Sequence, residues 1–541
     1  MYISRPKKKQ GNKTYTSTLI RESYRENGKV KTRTVSNLTN LDDKLILMIE
    51  NHLKGNEGEF NLSDLELGSS IEYGGAAVLK QFASQIGLDK IICSTKSQWR
   101  EDILAIITGR ILYQGSKLSL VNKYNDSVLW ELAGHEHGSR PDVKKNCYHA
   151  MDMLIQRKNR IDIKIAKKHL IDGCIVLYDM TNTWLEGEYN DSELITYGKP
   201  KGGKRGYKQV AIGLLTDKDG CPVAVEVFKG STSDQTTVLD QIKNISKKYG
   251  ISNAVFVGDR GMLTQKRVEE VQKTDFKIIT AMTHKEMRTL VDKESLQLDL
   301  FDKMNITEVI DSENTDMRYM LCKNDNEMVK ERNTRQALIH KVSALLTKKA
   351  SVKCKRDPLK VAASIGRIFE KCRIEKFYNW TVGERGELEW SLKDDVIDKE
   401  AELDGCYVIK TDVHKDILDK EQVVMCYRGL QKVEQAFKNM KTVALELRPL
   451  YHKSDERIES HIFIVMLAYY IQWHMMQKLK PLFDEDGVGE NKRWSFQAVI
   501  ERLKSIRKTE CLISGVVVKN EISKPDKEQS EILNLLGVKL M

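Results

Sequence analysis

Gly173-Cys-Ile-Val-Leu-Tyr-Asp179-Met-Thr-Asn182 is the stretch on which the fold turns. Ile175 to Tyr178 form an unbroken run of aliphatic, β-branched and aromatic side chains, the pattern of a strand buried on both faces. The predicted strand stops at a carboxylate. An Asp at the end of a buried strand is poorly solvated and needs a cation, a metal or several donors nearby to stay ionised. The competing reading is a surface turn in which Asp179 bonds its own backbone, because Asp-x-Thr-Asn is good turn chemistry.

The residues that follow weigh against the turn. Tyr207 to Thr216 and Pro222 to Phe228 read as strands joined by the hairpin Asp217-Lys-Asp-Gly220. Ser231 and Ser233 are capping residues for a helix over roughly 234–249. A second buried strand, Ala254-Val-Phe-Val-Gly258, also ends on a carboxylate, Asp259, and a helix to about Gln272 and a strand over 276–280 complete the pattern. This is a mixed α/β sheet with two acids at strand C-termini, where ligands of open α/β sheets gather. Between these strands the basic loop Gly198-Lys-Pro-Lys-Gly-Gly-Lys-Arg-Gly206 lacks the residue order of a nucleotide P-loop.

A second informative spacing lies in Tyr427-Arg-Gly-Leu-Gln-Lys-Val-Glu434-Gln-Ala-Phe-Lys-Asn-Met-Lys441. At 100° per residue Leu430, Val433, Phe437 and Met440 make one apolar stripe, which predicts a helix packed on the core. Tyr427, Glu434 and Lys441 fall along one edge of that stripe, and Arg428 points elsewhere. A salt-bridged, solvated helix edge is the plain alternative. If Asp179, Asp259 and Glu434 converge, their mutual repulsion raises their pKa values unless divalent cations occupy the site. Magnesium suits such a set, because it takes oxygen ligands and binds through a few carboxylates plus substrate phosphates.

The rest of the chain bounds the answer. At 541 residues it should hold several domains, and 40% hydrophobic with 30% charged residues is the composition of a globular protein. The longest apolar run, Ile462 to Ile471, is too short to span a bilayer, and the basic N-terminus lacks the apolar segment of a secretory signal. Ten cysteines with no Cys-x-x-Cys pair suit a reducing cytoplasm better than a disulfide or zinc framework. Of the net charge of +11, residues 1–40 carry ten Lys or Arg against two Glu, a local +8 that would attract a polyanion. Asn27-Gly28 between two Thr/Tyr/Val-rich arms predicts a basic β-hairpin there. Helical patterns follow as far as Leu170, and Gly134-His-Glu-His-Gly138 within them reads as a loop rather than a metal site. From about His284 to His414 the strands over 318–322, 376–382, 387–393 and 406–411, with a helix near 332–348, predict a module inserted into the first fold.

Taken together, VLYDMTN at Asp179, VFVGDRGM at Asp259 and YRGLQKVEQAFKNMK at Glu434, followed by LRPLYH and a long apolar helix, resemble the DDE transposases of bacterial insertion sequences. The branch they resemble most carries a β-rich insertion in an RNase H-like core and a Tyr-x-x-Arg-x-x-x-Glu-x-x-x-x-x-x-Lys signature. Tyr427, Glu434 and Lys441 match that signature, whereas Leu430 stands at its Arg position and Arg428 is displaced by two.

The resemblance implies an order of parts: a basic hairpin module (1–58), a helical DNA-binding region (59–170), the catalytic core in two pieces (171–285 and 415–479) around the β-rich insertion (286–414), and a C-terminal region (480–541). It implies that Asp179, Asp259 and Glu434 are catalytic and hold two Mg²⁺ ions, for which Mn²⁺ can substitute. The DNA-binding candidates are Tyr427, Arg428, Lys438, Lys441, Arg260, Lys204 and Arg205, and the base-stacking candidates are Trp380 and Trp390. The implied function is cleavage at terminal inverted repeats of double-stranded DNA and transfer of the freed 3′-hydroxyl into target DNA. Synapsis implies a homodimer, for which the apolar stretch Ile532 to Val538 is a candidate contact. The rival functions are a nuclease that cuts without joining and a non-catalytic DNA-binding derivative.

Overall fold

A computed structural model describes all residues except 11–12, 27–28, 40, 42, 56–64, 190, 202–205, 293–305, 312–313, 353, 442–444, 449, 487–491, 514–515 and 541. The chain divides into two compact units, Met1–Gln156 with Ala444–Tyr451 and Leu467–Met541, and Arg157–Val443 with His452–Met466.

The second unit contains the sheet that the opening stretch predicts. Cys174–Trp184 (β1), Lys208–Asp217 (β2) and Pro222–Lys229 (β3) are followed by the helix Asp234–Lys243 (α1), then Ala254–Val257 (β4), the helix Gln265–Val271 (α2) and Lys277–Ala281 (β5). Their order in the sheet is β3-β2-β1-β4-β5. The first three strands pair antiparallel, and β1, β4 and β5 run parallel. This mixed sheet is an RNase H-like core. All four residues of β4 are buried, which is why its sequence is continuously apolar rather than alternating.

In one respect β1 differs from its sequence reading. It does not stop at Asp179 but runs on to Trp184, because Asp179 to Trp184 keep pairing with β2 after β4 has ended. Only the parallel neighbour stops where the carboxylate stands.

The inserted segment is more helical than its sequence suggests. Ile306–Asp311 (β6), Asn314–Lys323 (β7) and Cys406–Thr411 (β10) extend the core sheet in the order β5-β10-β7-β6 instead of forming a sheet of their own. Between them lie two long helices, Asp325–Ala350 (α3) and Pro358–Cys372 (α4), and the hairpin Tyr378–Val382 (β8) with Leu388–Leu392 (β9). Val342 and Leu346 on α3 and Val361, Ile365 and Phe369 on α4 recur at four-residue intervals, and these stripes pack with Phe377, Tyr378 and Leu388 into a separate small core. The helices Lys420–Arg428 (α5) and Leu430–Lys441 (α6) return the chain to the main sheet.

In the first unit Leu19–Glu26 and Lys29–Asn37 pair as an antiparallel ribbon with Glu26 opposite Lys29. The Asn27-Gly28 turn itself lies outside the described residues. Every residue of Lys29–Asn37 is exposed. The helices of this unit include Gln98–Leu112, buried over nearly its whole length. Leu65–Glu72 is an unanticipated strand that pairs with Arg507–Ile513, a partner more than 400 residues away and invisible to local patterning. Residues 134–138 form a loop in which His135 Nε2 is 2.6 Å from Asp102 Oδ1. Ile532, Leu533, Leu536 and Val538 are buried within this chain, so the stretch proposed as a contact for a second copy is spent on the unit's own core. None of the ten cysteines is in a disulfide, and among the described residues no helix is long and apolar enough to cross a membrane.

Candidate active site

The parallel pairing of β1 with β4 fixes the two aspartates. Leu177 lies opposite Val257, the last paired couple, and Asp179 and Asp259 each follow two residues later. They therefore stand at the same height on neighbouring chains, Asp179 within β1 and Asp259 two residues past the end of β4. Tyr178 holds β1 in place from the other face. Its ring is fully buried and its hydroxyl lies 3.2 Å from Thr237 Oγ1 on α1. The space for that ring exists only because residue 213 on β2 is Gly, where a Cβ would overlap the Tyr178 phenol.

Glu434 comes from α6. Val433, Ala436, Phe437 and Met440 are buried, as the predicted stripe requires, and they seat the helix on β1. Glu434 itself is exposed and lines a cleft of about 860 Å³ together with Asp179 and Asp259. Tyr427 is not on that helix. The chain breaks at Gly429, where a Cβ would stand 2.8 Å from the Cys426 carbonyl oxygen and 3.4 Å from Leu177 Cδ1. Gly429 thus stands between α5 and α6 with little room for a side chain. The expected single helical edge from Tyr427 to Lys441 is two helices, and Arg428 lines the cleft rather than pointing away from it. There Arg428 Nη2 donates to the Tyr407 hydroxyl at 2.8 Å.

The electrostatics mark the cleft as acidic. Asp179, Asp234, Asp259, Glu327 and Glu434 line it, against Lys201 and Arg428. Burial pushes the Asp179 carboxyl up to about 6, with the charges of Asp259 and Asp234 adding to the rise, while the Met180 N–H (2.7 Å from Oδ1) and the Lys201 ammonium oppose it. Burial likewise raises the Tyr427 phenol, reinforced by the Asp259 carboxylate beside it. Among the described residues the three acids do not close into a tight trio: their ligand oxygens do not all lie within 4.8 Å of one another. The donor set is entirely oxygen, partly desolvated and, among the described residues, richer in acids than in cations, which is the chemistry that a hard divalent cation fits.

Residues 174–471, more than half of the chain, match the family model described as "Transposase DDE domain". The chain belongs to the DDE transposase family. Residues 3–61 match the "IS1634 family transposase, N-terminal domain", which makes it an insertion-sequence transposase, an enzyme of metal-dependent DNA cleavage and strand transfer. Among solved structures it is similar to the piggyBac transposase synaptic complex with hairpin DNA, at 10% identity and a TM-score of 0.33, over 80% of this chain and 77% of that one. It is also similar to the Mos1 transposase paired-end complex, at 13% identity and a TM-score of 0.14, over 44% of this chain and 68% of that one. No curated protein matches it.

The other candidate residues of the transposase fall in several places. Lys441 donates to Thr181 Oγ1, two residues along β1 from Asp179, and lies over the Phe437 ring with its ammonium 5.9 Å from the centroid. Lys438 and Arg260 are exposed. Lys204 and Arg205 lie outside the described residues. Trp380 and Trp390 face each other across the β8–β9 hairpin and pack, half-buried, on Phe369 and Tyr378. Sequence reasoning missed Lys201, Asp234, Asn324, Glu327, Tyr407 and Gln431, all of which line the cleft. Asp234 was visible only as a helix start after Ser233, and Asn324, Glu327 and Tyr407 come from the insert, which no local pattern directs toward the core.

Proposed function

We propose that Asp179, Asp259 and Glu434 are the catalytic carboxylates of this transposase and hold two Mg²⁺ ions, replaceable by Mn²⁺. The observation that carries this reading is the equal height of Asp179, within β1, and Asp259, just past the end of its parallel neighbour β4, with Glu434 lining the same cleft. Bound there, such ions activate an oxygen nucleophile and stabilise the leaving oxygen of an in-line displacement at phosphorus. The substrates are the terminal inverted repeats of the element and the target DNA, with water as the nucleophile for cleavage and the freed 3′-hydroxyl for joining. The reaction proceeds without a covalent enzyme intermediate.

The chain's own groups bind and orient the phosphates. Tyr427, Arg428, Lys438 and Lys441, with Arg260, Lys204 and Arg205, supply donors to the DNA backbone, and Trp380 or Trp390 supplies an aromatic face for an unstacked base. The exposed basic strand Lys29–Asn37 of the N-terminal ribbon suits a DNA groove. Two copies meet on paired element ends, and the free thiols fit a reducing cytoplasm. Arg428 takes the role that the signature gives to the Arg position occupied here by Leu430, since its guanidinium lines the cleft. Arg428→Ala should weaken DNA binding and reduce its salt dependence by about one counter-ion, whereas Leu430→Ala should leave the slope unchanged. Equal slopes in the two variants would remove Arg428 from the phosphate contacts.

The test of the function is a cleavage and joining assay on DNA ending in the element's repeats, with and without Mg²⁺. Metal-dependent nicks followed by joined product are expected. Hydrolysis without joining would identify a nuclease, and shifted but uncut DNA a binding protein.

A further inference from the structure

We propose that Lys201 is the built-in counter-ion of the acidic cleft, holding it in shape before metal binds and competing with the cation for it. The inference rests on the metal-holding reading above. Its first support is position. Lys201 Nζ donates to the Met180 carbonyl oxygen at 2.9 Å and pairs with the Asp234 carboxylate. The ammonium is thus fixed to the backbone of the residue that follows Asp179, between acids from two different elements.

Its second support is the anchoring of the loop. The Lys199 carbonyl accepts from Asn182 Nδ2 at 3.0 Å and from Gln209 Nε2 at 3.3 Å, and the same Gln209 amide donates to the Gly230 carbonyl at 2.8 Å. A Cβ at either Gly198 or Gly230 would overlap the backbone there. Two bare backbones and a buried amide therefore anchor the chain two to three residues before Lys201, which fixes where the lysine enters the cleft.

Its third support is the charge balance. Among the described residues five acids line the cleft against two cations, and Arg428 is engaged with the Tyr407 hydroxyl. Among the described residues, Lys201 supplies the positive charge that acts on Asp179. A divalent ion entering among these carboxylates must displace or repel that ammonium, so the lysine lowers metal affinity while it keeps the empty cleft from splaying. A lysine with only a structural part in the loop would have the opposite signature, because its loss would loosen the site and weaken metal binding.

The experiment is calorimetric titration of Mn²⁺ alone into the full-length protein and its variants, with thermal melts of the metal-free proteins alongside. Lys201→Met should bind Mn²⁺ about tenfold more tightly than the parent, equivalent to ~1.4 kcal/mol, and melt at a lower temperature without metal. Lys201→Arg, which keeps the charge, and Lys243→Met, which removes a distant exposed one, should stay within about twofold of the parent. Unchanged or weaker binding in a folded Lys201→Met overturns the inference and leaves the metal reading intact. Asp179→Asn separates the two: if the parent takes up no Mn²⁺ that this substitution abolishes, the metal reading itself fails and the role of Lys201 falls with it.

Discussion

Asp179→Ala, Asp259→Ala and Glu434→Ala, made one at a time, should each lower metal-dependent DNA cleavage by about three orders of magnitude or more, while DNA affinity stays within about threefold. The first effect is large because phosphoryl transfer at such a site depends on charge placed at the attacking and leaving oxygens, and losing one carboxylate from a shared set misplaces that charge. The second is small because phosphate-binding cations supply most of the affinity for DNA. None of the three acids fills a core position: Asp179 is half-buried, and Asp259 and Glu434 are exposed. The loss should therefore appear in turnover with the fold intact. Cleavage surviving in any one variant would remove that residue from the site.

The second large effect concerns stability. With its carboxyl raised to about 6 in the folded protein, chiefly by burial, Asp179 holds its proton more tightly folded than unfolded. The native state then loses stability as pH rises from the ordinary carboxylate range through about 6, and below that range the penalty is absent. Asp179→Asn should accordingly stabilise the metal-free protein at pH 7.5 by up to about 3 kcal/mol, and this advantage should vanish near pH 4. Added Mg²⁺ should reverse the order, because it stabilises only the protein that keeps the carboxylate. Melting curves of both proteins at the two pH values, with and without metal, measure this. Equal stabilities at pH 7.5 without metal would mean that Asp179 is not held in a desolvated, acid-rich cleft. The site is thus a place where the fold gives up stability for chemistry, as is common where like charges are gathered.

The parts of this arrangement that were legible in the sequence are those in which burial writes a local pattern. Ile175 to Tyr178 and Ala254 to Val257 are apolar without alternation because the sheet is covered on both faces, and an acid follows each run within two residues. Val433, Phe437 and Met440 give α6 its period. Where partners are distant, the pattern is silent. Asp-Met-Thr-Asn reads as the end of the strand, yet pairing with β2 carries the strand through it. The stripe through Leu430 to Met440 gives no sign that one helix ends at Arg428 and the next begins at Leu430, because the stripe starts only after Gly429. Trp380 and Trp390 were legible as alternating strand positions, but the helices that cover them were read only in part. Lys201 and Asp234 come together from a loop and a helix start 33 residues apart, and only the folded sheet brings them together beside Asp179.

The most direct measurement is anomalous scattering from crystals of the protein bound to repeat-end DNA and soaked in Mn²⁺. The expected result is density coordinated by Asp179 and Asp259 and completed by Glu434 and a DNA phosphate. Manganese bound elsewhere, with the three carboxylates too far apart to share an ion in the DNA-bound state, would contradict the assignment of this cleft as the catalytic centre.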